Sequence, residues 1–404
     1  MGLNISVPKE TAESERRVAA SPETVKKLVA MGCTVTIETG AGDAASIPDS
    51  AFKDEGAKIA KTAEDTYKNA DIILKVQRPS AKKMDYIKSK ALLIGLLNPH
   101  GDSDTIAAYA KANINAFSME LVPRITRAQS MDVLSSQSNL AGYKAVLDAA
   151  EEFTRAFPMM MTAAGTIPPA KVFIMGAGVA GLQAIATAKR LGAVVSATDV
   201  RPAAKEQVES LGASFVAVED EEFKEAETSG GYAKEMSKAY QKKQAALVEE
   251  HIAKQDIVIT TALIPGRDAP KLITEAMVKS MKPGSVIVDL AVESGGNCAS
   301  SKAGKVVELG DTKIIGHKNV PSRLATDASK LYAKNVLNLL TLIIDQESGK
   351  LNIDWDDDII KGIALTKDGK IIHPNFKEAK KVPPKKPADK PAPAPKKTAE
   401  KKGS

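Results

Sequence analysis

Residues Lys171–Arg201 read KVFIMGAGVAGLQAIATAKRLGAVVSATDVR, and no other stretch constrains the fold as tightly. The apolar run Val172–Met175 leads into Gly176-Ala177-Gly178-Val179-Ala180-Gly181. A helix-period segment follows, then a second apolar run that ends at Asp199. Three glycines at this spacing are informative only between a strand and a helix, and both neighbours are present here. Gly176 permits a tight turn, Gly178 lets the backbone approach a pyrophosphate, and Gly181 lets the helix pack closely on the strand. The helix N-terminus then offers N–H groups and a partial positive charge to phosphates. Asp199 stands 18 residues after Gly181. Its carboxylate suits the two ribose hydroxyls of NAD and repels the 2′-phosphate of NADP, a preference that Arg201 softens in principle. The bland reading is a glycine-rich turn that holds no ligand. No second copy of the pattern occurs in the chain.

With 404 residues the chain is long enough for two domains with separate cores. Its net charge of +6 misleads, because residues 380–404 hold nine lysines against Asp389 and Glu400. The remainder is about neutral, which argues against nucleic acid as a partner. Cys33 and Cys298 are far apart, so a reduced, cytosolic setting with both thiols packed as small hydrophobes is expected. The four histidines are scattered, and a metal cluster is not expected. The chain opens on a strand with no apolar signal region, and no apolar run approaches the ~20 residues of a membrane helix.

Short apolar runs at Ile5–Val7, Thr34–Glu38, Asp71–Val76, Ala91–Leu97 and Ile114–Ser118 alternate with helical segments. Ser21 followed by Pro22 marks one helix start. The loop after the first run is Pro8-Lys9-Glu10, not a glycine turn, so this α/β unit is not expected to cradle phosphates. Six strands follow from residue 171: Val172–Met175, Val194–Thr198, Ser214–Val218, Asp256–Thr261, Ser285–Leu290 and Lys313–Ile315. A helix over 325–344 and a hairpin at Asp368-Gly369 have no place in a finished six-strand unit, so the chain is expected to return to its first domain. The fold class is therefore α/β, with two Rossmann-like doubly wound domains and a cleft between them. Their limits are 1–135 completed by 322–379, and 136–321. Residues 380–404, rich in Lys, Pro and Ala, form a tail expected to be disordered.

Between the domains lies MELVPRITRAQSMDVLSSQSNLAGY, Met119–Tyr143. Arg124, Gln129, Asp132 and Ser135 crowd donors and acceptors just before a helix, where a nicotinamide carboxamide would need both. A well-capped interdomain turn explains the same residues. This stretch, with FPMMMTAAGTIPPAKVFIMGAGVAGLQAIATAKRLGA, TALIPG, VIVDLAVESGGN and NVPSR, resembles the NAD(H)-binding domain I of proton-translocating nicotinamide nucleotide transhydrogenases. The similarity covers roughly residues 3–375. The Lys/Pro/Ala ending resembles the detached soluble form, the first portion of a split alpha subunit.

The resemblance implies that Arg124, Gln129, Asp132 and Ser135 orient the nicotinamide toward a partner's NADP(H), with Ile125, Thr126, Ser130 and Met131 in the same loop. It places Val179, Ala180 and Gly181 at the pyrophosphate and Asp199, Val200 and Arg201 at the adenosine ribose. Gly231 and Tyr232 match a mobile lid, and Gln244 and Leu263 lie near the nucleotide. It further implies NAD(H) on this chain and NADP(H) on a beta subunit, with a separate membrane-spanning portion of the alpha subunit and a homodimer of this chain. The complex would hold this cytoplasmic chain at the inner membrane. Hydride passage between two nicotinamides releases no proton at the reacting carbons, so a polar cradle without an acid/base suffices.

Alanine dehydrogenases share the architecture and are the nearest rival. Lys75 in ILKVQRP matches their substrate lysine, but Leu96 stands where their histidine belongs, and His100 is out of register. A non-catalytic NAD-binding module is the other reading.

Overall fold

The computed structural model describes residues 2–224, 236–264, 266–345 and 348–377. Gly231, Tyr232 and the tail 380–404 lie outside the described residues. The strands run in chain order as β1 (Asn4–Val7), β2 (Thr34–Glu38), β3 (Lys58–Ala60), β4 (Ile72–Gln77), β5 (Leu92–Leu96) and β6 (Asn115–Ser118). A hairpin follows, β7 (Met160–Thr162) and β8 (Gly165–Ile167), then β9 (Lys171–Met175), β10 (Val194–Thr198) and β11 (Ser214–Phe215). The rest are β12 (Ile257–Thr260), β13 (Val286–Asp289), β14 (Lys305–Leu309), β15 (Thr312–Gly316), β16 (Ala364–Lys367) and β17 (Lys370–Ile371).

The first sheet has the order β3-β2-β1-β4-β5-β6, all parallel, with β16 and β17 added antiparallel beside β6. The second has the order β11-β10-β9-β12-β13-β15, also parallel, with β14 as an antiparallel edge. Both are doubly wound, and alternate residues of the central strands enter opposite cores. Ile72, Leu74 and Val76 face one core of the first domain and Ile73 the other. Val172 and Ile174 are likewise separated from Phe173 and Met175 in the second.

The sequence pattern does not reveal β3, β14 or the β7–β8 hairpin. All are short or lie at an exposed edge, where the apolar signal fades. The strand expected to reach Val218 stops at Phe215. The Val218 amide donates to the Gln244 side chain at 2.8 Å instead of to a ladder partner. Ser21 caps the helix Pro22–Ala30, and Asp368-Gly369 turns β16 into β17.

Two long helices tie the sheets together. Helix Val133–Glu152 places Val133 in a core of the first sheet and Ala145, Val146 and Ala149 in a core of the second. Helix Ala325–Ile343 brings the chain back to the first sheet and packs Tyr332, Val336 and Leu340 there. Ser136 bonds Asn335 at 2.8 Å, so the two helices also meet directly. No described helix is long and apolar enough to cross a membrane.

Candidate functional site

Open α/β sheets receive ligands where the strand order reverses, at the carboxyl ends of the strands. The first sheet reverses between β1 and β4, and its own side chains meet there. Lys75 Nζ lies 2.7 Å from Glu10 Oε2, and both side chains are buried. Burial pushes the Glu10 carboxyl above its ordinary range, against the pull of Lys75.

The second sheet reverses between β9 and β12, where the glycine turn lies. Gly176 has φ +105°, a left-handed conformation that needs glycine. A Cβ on Gly181 would fall 1.8 Å from the Gly176 carbonyl, so the helix rests on the turn as well as on the strand. Gly178 faces open space, and as the N-cap of helix Val179–Arg190 it contributes no capping side chain. The first-turn N–H groups are thus left for an anion. Val179 is exposed and Ala180 half-buried.

Asp199 follows β10 and is tied to the turn. The Ala177 amide donates to its Oδ2 at 2.7 Å, and Arg201 donates to both oxygens. Arg201 also reaches the Ala177 carbonyl at 3.2 Å, while Val200 is exposed. Gln244 links strand end to neighbouring loop, donating to Thr198 Oγ1 at 3.2 Å. Leu263, after β12, is 54% exposed.

The loop before the long linking helix gathers the other expected residues. Thr126–Met131 winds as a 3-10 turn that buries Ala128 and Met131. Arg124, Thr126, Gln129 and Ser130 are exposed, and Ile125 packs on the first core. The Ser130 carbonyl accepts from Asn335 and Asn338 at 2.8 Å each, which pins the turn to the returning helix. Asp132 caps helix Val133–Glu152, accepting from the Ser135 amide at 2.9 Å and its hydroxyl at 2.6 Å. Further along this helix Gly142 lies so close to Ala180 that a Cβ would sit 2.0 Å from the Ala180 carbonyl. Ten residues of helix put Asp132 about 15 Å along the axis from that contact. One helix therefore sets the spacing between the polar loop and the glycine turn. Gly142 gives no sign of this in the sequence, because its small size is a signal only once its neighbour is known. No group of metal-ligating side chains occurs among the described residues.

This arrangement defines a two-domain, doubly wound α/β protein, and the chain belongs to the alanine dehydrogenase/PNT family. Residues 6–141 match that family's N-terminal domain and residues 145–374 its C-terminal domain. The chain is 57% identical over 377 residues to the first portion of the NAD(P) transhydrogenase alpha subunit of Rhodospirillum rubrum, covering 92% of this chain and 98% of that one. The crystal structure of transhydrogenase from Sinorhizobium meliloti matches with a TM-score of 0.84 at 57% identity, over 91% of this chain and 100% of that chain. Alanine dehydrogenase of Mycobacterium tuberculosis is more distant, 30% identical over 297 residues, 73% of this chain and 74% of that protein.

Proposed function

We propose that this chain is the NAD(H)-binding subunit of a proton-translocating transhydrogenase. It passes hydride directly between NADH held here and NADP+ held on a beta subunit, coupled to proton movement through membrane subunits. The carrying observation is one glycine turn with an acid at the end of the next strand, rigidly spaced from an exposed polar loop. Affinity then resides at one end of the cofactor, and the other end stays open to a partner. The partners are the beta subunit, the membrane-spanning portion of the alpha subunit and a second copy of this chain, with the complex on the cytoplasmic face of the inner membrane. The domain limits in this reading are 1–135 with 322–379, and 136–321.

Bound NADH supplies the hydride. The free N–H groups at Val179–Gly181 hold the pyrophosphate, and Asp199 accepts from the adenosine ribose while Arg201 steadies the carboxylate. Arg124, Gln129, Asp132 and Ser135 orient the carboxamide. Asp132 uses two of its roughly four acceptor positions on Ser135, which leaves capacity for a ligand N–H.

The buried Lys75–Glu10 pair favours this reading over amino-acid oxidation. A lysine so paired is poorly placed to receive a substrate carboxylate, and Leu96 carries no base. The test is NADH-dependent reduction of an NADP analogue by the chain mixed with its NADP-binding partner. Alanine-dependent NAD reduction by the chain alone would favour the dehydrogenase, and NADH binding with neither activity would favour a plain binding module.

A further inference from the structure

The loop that follows β12, Thr261–Ile264, forms the wall of the crevice opposite the glycine turn, because β12 is the parallel neighbour of β9 across the switch point. Thr261 joins the two walls, its hydroxyl donating to the Gly176 carbonyl at 3.0 Å. Beyond it, Leu263 and Ile264 are large apolar side chains left 54% and 46% exposed. A loop that displays such residues at a ligand crevice needs its backbone held from behind.

That support comes from Asn297, which is wholly buried. Its Oδ1 accepts from the Ala262 amide at 3.0 Å, and its Nδ2 donates to the carbonyls of Ala262 at 2.9 Å and Pro270 at 2.8 Å. Both amide donors are used, and the side chain pairs with Ala262 as one more strand residue would. Asn297 is fixed in turn by Asp289, at the end of β13, which accepts its backbone N–H at 3.1 Å. Asp289 is also buried and accepts from Ala291, Cys298 and Ser301 at 3.0, 3.0 and 2.6 Å. Charge-assisted bonds of this kind make a stiff anchor.

We infer that Asn297, anchored by Asp289, is a positioning residue. It holds Ala262-Leu263-Ile264 as an apolar wall for the nicotinamide half of the cofactor, and it has no part in binding the ADP-ribose half. The inference rests on the NAD(H) reading above. Asn297→Asp keeps the shape and the acceptor toward Ala262 N–H but sets a carboxylate oxygen against two carbonyls. Asp289→Asn loosens the anchor behind Asn297 but leaves the Asn297 side chain and its partners Ala262 and Pro270 in place, so it decides the matter if Asn297→Asp does not fold.

The experiment is calorimetric titration of the full chain with NADH and, separately, with ADP-ribose, after a thermal melt has established that each variant is folded. NADH affinity is expected to fall about tenfold in Asn297→Asp and about threefold in Asp289→Asn, with ADP-ribose affinity within about twofold of the unaltered chain. Equal losses for both ligands, or no loss for either, would overturn the inference and leave the NAD(H) reading standing. If the unaltered chain bound neither ligand, both would fall together.

Discussion

Arg201 clasps the carboxylate of Asp199 through Nε at 2.9 Å and an NH2 group at 3.0 Å, on the strand end where a ribose is expected. The acid is thus paired with a cation two residues away and bonded to the glycine turn by the Ala177 amide. Its orientation is set by the protein, and part of its charge is offset.

This pairing leads us to expect a cofactor preference of moderate size. Asp199→Ala should weaken NADH binding ~10-fold or more, since it removes charge-assisted hydrogen bonds worth about 1.5–3 kcal/mol. It should also narrow the gap between NADH and NADPH, because Arg201 would then face a 2′-phosphate without its carboxylate. Calorimetry with both nucleotides is the measurement. Equal affinities in the unaltered chain would remove the role given to Asp199.

Gln129→Asn and Asp132→Asn should slow hydride transfer far more than they weaken NADH binding. The first shortens the reach by one methylene. The second keeps a side chain that caps helices as well as Asp does, so the linking helix survives. A misplacement of about 1 Å at the reacting atoms costs on the order of a hundredfold. Single-turnover transfer with the NADP-binding partner reads this directly, and unaltered rates would reduce the loop to a structural turn.

Gly142→Ala tests the spacing between loop and turn. The added methyl would meet the Ala180 carbonyl at 2.0 Å, well inside contact distance. Overpacking of this kind costs about 1–3 kcal/mol. We expect a lower melting temperature together with weaker NADH binding, because Ala180 belongs to the turn proposed to hold the pyrophosphate. A variant as stable and as tight as the unaltered chain would show that the helices can part without consequence.

Acid sensitivity is expected from Glu15. Burial pushes its carboxyl up, but hydrogen bonds and charge from Arg17, with help from Gln77, outweigh burial and hold it at about 2, against an ordinary 4.5. A depressed acid stabilises the fold fully above its unfolded value, and that contribution is lost as pH falls from 4.5 toward 2. The same Arg17 donates to Gln137 at 2.8 Å on the linking helix and to Asn319 at 3.1 Å, so the junction of the two domains is what weakens. Glu15→Gln should cost about 3 kcal/mol at neutral pH and flatten the acid limb of a stability curve measured by urea unfolding. A parallel curve for the variant would contradict this.

The residues that chose the fold class lie close together in the chain. The βαβ unit, Asp199 at its end, the Ser21-Pro22 helix start and the Asp368-Gly369 turn rest on neighbours within a few tens of residues, so their pattern could be read directly. The segment Arg124–Ser135 was legible as a cluster of polar types, but its distance from the glycine turn was not. That distance depends on Gly142 meeting Ala180, and the support of the facing wall depends on Asn297 meeting Ala262. Both contacts join residues on different elements and belong to no local motif. Neither residue type carries a signal alone, because a small residue or a buried amide acquires meaning only from the partner that packing sets against it.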